Sequence, residues 1–296
     1  MKVIKPITIS SAMLVSSTAV ETYSAWSSVT AYALDSYVIR TTTNRVYRCI
    51  QGPSTNNTPE TSPLWWTDVG PTNTWAMFDS QISTTTTNAT NVTVVMDPGQ
   101  INGLGLIGVV GGSVTVSATD GAGGASIYNK TISLDTTIIT DWSMYFFEAF
   151  NLSGDVVLTD LPTYGSMRLT VAVTGTNVAI GNLSLGSAYD LGMTEYGATA
   201  GITDYSRKDT DAFGTTTFTR RGFSKRMSAR SMIATDQMNK IQRILSDIRA
   251  TPCVWIGTPD MTTYSPLVVY GFYRDFSIDI AYSTQCYCSL EVEGLT

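Results

Sequence analysis

Apolar residues recur with period two along much of this chain. In residues 167–173, Met167, Leu169, Val171 and Val173 share one face, which predicts a strand buried on that side. Similar short apolar or alternating runs occupy 91–96, 104–110, 113–118 and 178–186. Several are bounded by Gly or Asn, and "TGTN" (174–177) suits a hairpin connection. "DWSMYFFEAF" (141–150) is denser in rings and reads as a strand packed on both sides. Together these runs predict an antiparallel β-sandwich or jelly roll over residues 74–200.

The pattern changes in the last hundred residues. Met238, Ile241, Leu245 and Ile248 recur at helical spacing, with Thr235 placed as N-cap. Alternation then returns. Phe272, Phe276, Ile278, Ile280 and Tyr282 form an inward set broken only at Arg274, and Cys286, Cys288, Leu290 and Val292 form a second. Residues 201–296 therefore read as an α+β assembly unit with one helix and a closing hairpin. At the other end, residues 1–21 read as an N-terminal arm or first strand, with Val3, Ile4, Ile7 and Ile9 apolar. Pro6 and repeated Ser/Thr interrupt that stretch, so it is expected to stay uncleaved rather than serve as a secretion signal.

Residues 22–73 form a distinct small unit: two short β-runs, 37–40 and 45–50, precede "NTPETSPLWWTDVGPTNTWAMFD" (57–79). A unit this short needs concentrated ring area to hold a core. Adjacent residues on a strand point oppositely, so one of Trp65 and Trp66 closes the core and the other is free to join Tyr47 as an exposed platform. Trp75 and Phe78 are expected to anchor the junction to the sandwich.

Composition agrees with a mainly β chain. Of 296 residues only 14% are charged, and Thr, Ser, Asn and Gly fill the polar remainder. The net charge of −6 offers no bulk attraction to nucleic acid or anionic lipid, and no apolar run is long enough to span a bilayer. Cys49, Cys253, Cys286 and Cys288 form no CxxC pair and read as buried thiols, with a bridge to Cys253 left open.

The absence of histidine excludes Ser-His-Asp and Cys-His catalysis and the HExxH zinc site. No motif calls for a metal or another cofactor. "DGAGGAS" (120–126) lacks the lysine and helix of a phosphate-binding loop and reads as a hairpin turn. Paired carboxylates would be the remaining route to glycosidic cleavage, with Glu148, Asp155 and Asp160 as candidates. The densest charge is basic: Arg220, Arg221, Lys225, Arg226 and Arg230, read as a solvated or salt-bridged assembly contact before a nucleic-acid one.

The series Trp26, Tyr32, Val38, Tyr47, Pro59, Trp65 and Trp66 resembles the small β modules of the chitin-binding type-3 kind, with Asp35-Ser36 where that family has Gly-Asp. The resemblance implies a carbohydrate-binding-like module with sugar-stacking rings at Tyr47 and Trp65 or Trp66. "MRLTVAVTGTNVAIGNLSLG" (167–186) is similar to strands of galactose-binding-like jelly rolls. The whole order of arm, module, sandwich and C-terminal unit resembles structural proteins of tailed bacteriophages. That implies a non-enzymatic virion subunit of tail, baseplate or neck. Its partners would be other virion proteins, copies of itself and a host-surface glycan. The alternatives are a secreted or surface adhesin and a polysaccharide-degrading tail enzyme.

Overall fold

The computed structural model describes residues 1–137, 139–147, 152–258 and 265–296. The fold is mainly β, built from antiparallel sheets with a helix near the C-terminus, as the alternation predicts. One sheet has five strands: Ser126–Ser133, Ser113–Asp120, Met167–Thr174, Asn91–Met96 and Leu14–Ser17, in that order. Its inward residues are those of the sequence pattern. Val92, Val94, Met96, Val114, Val116, Leu169, Val171 and Val173 are all wholly buried. They pack against Leu104, Leu106, Leu183 and Leu185 of a second sheet, which makes the sandwich core.

That second sheet has ten strands and curls like half a barrel. From one edge it runs Val156–Leu158, Gly103–Ile107, Asn182–Asp190, Lys2–Pro6, Cys253–Ile256, Val268–Asp279, Gln285–Gly294 and Phe223–Ala234. Met193–Thr194 and Thr199–Asp204 both pair with the last of these. The sheet decides one open reading and corrects one expectation. Of the arm and the first strand, the N-terminal segment supplies a strand, because Lys2–Pro6 lies in the middle of the sheet with partners on both edges. Val3 faces one core and Ile4 another, and both are wholly buried. The chain does not divide between residues 200 and 201, because that point falls inside Thr199–Asp204 and the sheet passes through both halves.

The helix Met238–Asp247 sets Ile241 and Leu245, followed by Ile248, against Val3, Trp255 and Val269, on the same face of the large sheet as Leu183 and Leu185. Thr235 is not its N-cap. It begins a 3-10 turn, Thr235–Gln237, and no side-chain cap bond forms. Its hydroxyl lies 3.6 Å from the Cys286 sulfur instead.

Four local departures have physical causes. Arg274 is a β-bulge: Tyr273 pairs with Val292 and Asp275 with Glu291, leaving Arg274 without an opposite residue. The extra residue reverses the phase, so Tyr273, not Phe272, packs inward before it, with Phe276 and Ile278 after it. The run 178–186 breaks at Gly181 into Val178–Ile180 and Asn182–Asp190. A Cβ at Gly181 would stand 2.9 Å from the Ile82 carbonyl oxygen and 3.0 Å from that of Ile107. Residues 174–177 are not a hairpin, because Met167–Thr174 and Val178–Ile180 lie in different sheets. Finally, Trp142–Phe147 is a short helix with exposed rings rather than a buried strand. Residues 148–150 of that run lie outside the described residues.

The curl of the large sheet is fastened at one corner. The Lys225 ammonium of Phe223–Ala234 pairs with the Asp155 carboxylate beside the edge strand Val156–Leu158. That carboxylate also accepts the Gly108 N–H at 3.1 Å.

Candidate functional site

Residues 22–73 contain a three-stranded sheet, Tyr37–Arg40, Arg45–Cys49 and Trp66–Pro71, whose strands pair only with one another. It has its own core of Val38, Tyr47, Cys49 and Trp66, with Trp26, Tyr32 and Trp65 packed against it. Register explains the membership. Val38 stands opposite Tyr47, and Cys49 opposite Trp66, so these side chains share the inner face. Trp66 donates its ring N–H to the Asn57 carbonyl at 2.9 Å and meets Tyr32 edge-on, centroids 5.3 Å apart.

This placement divides the expected platform. Tyr47 is 7% exposed and Trp66 2%, so neither offers a ring face to a ligand. Of the three candidates only Trp65, half-buried, keeps a surface open to solvent. Phe78 packs against the sandwich core, and Trp75 lies against it at 5.4 Å, which fits the anchoring role expected of this pair.

The rings that do face outward are Tyr23 and Tyr37, stacked 5.0 Å apart at 16° and each more than a third exposed. Tyr23 borders a cleft of about 400 Å³ between the small sheet and the sandwich, with Glu21, Val69, Asn73, Thr84 and Thr87 on its walls. The Glu21 carboxylate is held by the backbone N–H groups of Asn73 at 2.9 Å and Thr74 at 3.1 Å. Tyr37 was not among the residues expected from sequence, because its direction follows from Val38 facing Tyr47 across the strands, which only the register shows.

Neither a family model nor any curated protein sequence matches the chain.

The site also offers a cation beside a ring. The Arg40 guanidinium sits 4.8 Å from the Trp26 ring centre and pairs with Glu60 at 2.8 Å. The ring N–H of Trp26 is buried without an acceptor among the described residues.

The acids considered for glycosidic cleavage are otherwise engaged. Asp155 pairs with Lys225, and Asp160 accepts the Tyr128 hydroxyl at 2.9 Å and the Lys130 ammonium at 3.1 Å. Burial opposes the charge on Asp160, yet these two donors outweigh it and hold the carboxyl below its ordinary range. Burial, reinforced by Asp160, pushes the Tyr128 hydroxyl upward. Glu148 lies outside the described residues. Among the described residues no three His, Cys, Asp or Glu side chains gather as metal ligands.

The basic cluster is dispersed by its strand. Arg226 and Arg230 lie on the exposed face of Phe223–Ala234, opposite buried Met227 and Ala229. Arg230 sits over the Tyr287 ring at 4.0 Å and approaches Asp279 at 3.5 Å and Glu195 at 3.7 Å. Arg220 and Arg221 precede the strand and are exposed, while Lys225 is committed to Asp155.

Proposed function

We propose that this chain is a non-enzymatic structural subunit of a tailed-phage virion, in tail, baseplate or neck, whose small β module contacts host-surface glycan. The observation that carries the reading is a small sheet with its own aromatic core that leaves a stacked Tyr23–Tyr37 pair and part of Trp65 open to solvent. Exposed ring faces pack against the apolar faces of pyranoses, and the Thr, Asn and Glu groups of the adjoining cleft match sugar hydroxyls. The engagement of Asp155 and Asp160 with cations supports a binding role over a hydrolytic one.

Two measurements test it. Mass spectrometry of purified particles should find the chain, and its absence would remove the structural role. On a glycan array, binding should fall at least tenfold in Tyr23→Ala and Trp65→Ala. Unchanged binding in both would remove those rings from the site.

A further inference from the structure

Two exposed aromatic features leave the body at one corner. The first is the helix Trp142–Phe147, in an excursion closed at its base by the bridge between Asp135 and Leu152. Trp142 is 77% exposed, Tyr145 61%, Phe146 67% and Phe147 85%. The second is a ribbon, Arg207–Thr210 paired with Thr216–Thr219, every residue of which is exposed. Phe213 at its tip and Phe218 on its strand are 94% and 73% exposed. Their roots are tied together, because Asp155 follows the first feature, Lys225 follows the second, and these two form the ion pair that fastens the sheet.

The features carry opposite charge. No Lys or Arg occurs between Lys130 and Arg168, and Asp141 and Asp135 spend their carboxylates on backbone N–H groups within the excursion. The ribbon and its base hold Arg207, Lys208, Arg220 and Arg221 against Asp204, Asp209 and Asp211. Arg207 pairs with Asp209, whereas Lys208 and Arg221 have no ion-pair partner among the described residues.

Together the six rings expose roughly 900 Å², taking about 200 Å² for each full side chain. That total matches the roughly 800 Å² that each partner contributes to a stable interface.

We propose that the acidic aromatic excursion of one copy packs against the basic aromatic ribbon of a second copy of this chain. Adjacent acidic and basic halves at one corner are self-complementary about a two-fold axis, so each contact occurs twice. The lack of basic residues in the excursion disfavours an anionic membrane as its occupant. This inference rests on the assembly reading above and adds to it a face and a partner.

The test is sedimentation equilibrium of the full chain. The wild type should self-associate at micromolar concentration. Phe213→Ser with Phe218→Ser, and separately Phe146→Ser with Phe147→Ser, should each raise the dissociation constant at least tenfold without altering circular dichroism. Mixing the two variants should restore part of the association, because one of the two symmetry-related contacts then joins an intact excursion to an intact ribbon, and higher salt should weaken it. A wild type monomeric at about 100 µM, near the weak end of specific association, would overturn the proposal. So would variants that associate normally, or flotation of a monomer with phosphatidylcholine vesicles. A chain found in particles but monomeric in solution would sink this interface and leave the assembly reading standing.

Discussion

The Trp65–Trp66 pair shows how much a residue's fate depends on register. Period two says that the pair must divide, and it does: Trp66 enters the core and Trp65 stays half-buried. Which ring goes inward is decided by pairing with Cys49, a contact between distant parts of the chain. Tyr47 was misplaced for the same reason, since its position opposite Val38 is a cross-strand fact. Replacing Trp66 by Ala should therefore destabilise the module by about 3–5 kcal/mol, and replacing Trp65 by about 1 kcal/mol or less. Chemical denaturation followed by tryptophan fluorescence reads the difference; equal losses would contradict the assigned faces. The carboxylates add a pH dependence. Hydrogen bonding from Arg168 holds Asp97 below its ordinary 3.8, and donors from Arg40 and Thr42 overcome burial to hold Glu60 below 4.5. Because these folded values are depressed, their stabilisation is complete above the unfolded values and drains as pH falls through the folded ones. The melting temperature should be level from pH 7 to about 5 and drop below about 4.5. Arg168→Met should flatten part of that drop, and an unchanged slope would show that the Asp97 pair contributes nothing.

Most strands were legible because half-buried strands announce themselves by alternation, as in 167–173. Two elements were harder. The segment Trp142–Phe147 is apolar without a period, so its composition cannot separate a buried strand from an exposed helix. The break at Arg274 was visible, yet its sense was reversed, because a bulge moves the phase of the residues before it. Deleting Arg274 should remove the bulge and leave Tyr273 opposite Val292, still beside Trp255, whose ring it meets at 6.1 Å. A loss of less than ~2 kcal/mol is expected, because no inward side chain changes face. Differential scanning calorimetry would check it, and a larger loss would show that the bulge itself shapes the sheet.

Across the whole molecule, the sequence suggested separate sandwich and C-terminal units, whereas one ten-stranded sheet joins them through Lys2–Pro6. Sequence proximity favours local partners, and nothing in "MKVIKP" names strands near residues 190 and 255 as its neighbours. The small module was more legible because its core and its sheet are both local to residues 22–73. The engagement of the acids was illegible for a similar reason. Missing histidines can be read from a string, but the pairing of Asp155 with Lys225 requires the closed sheet.

The four cysteines give this architecture a built-in clock. All are free and buried, and register separates Cys253 from Cys288, since Cys253 lies opposite Gly271, Gly271 opposite Gly294, and Cys288 roughly 20 Å back along that strand. The bridge left open by sequence is thus out of reach, and burial pushes the Cys253 thiol up to about 12 and that of Cys288 up to about 11. Thiols so protected react only when the backbone around them opens. Cys49 belongs to the small module and the other three to the large sheet, so alkylation followed by mass spectrometry times two openings in one sample. If the module breathes on its own, Cys49 should be modified well before the other three, which should then be modified together. Simultaneous labelling of all four would instead mean that module and sheet open as a single cooperative unit.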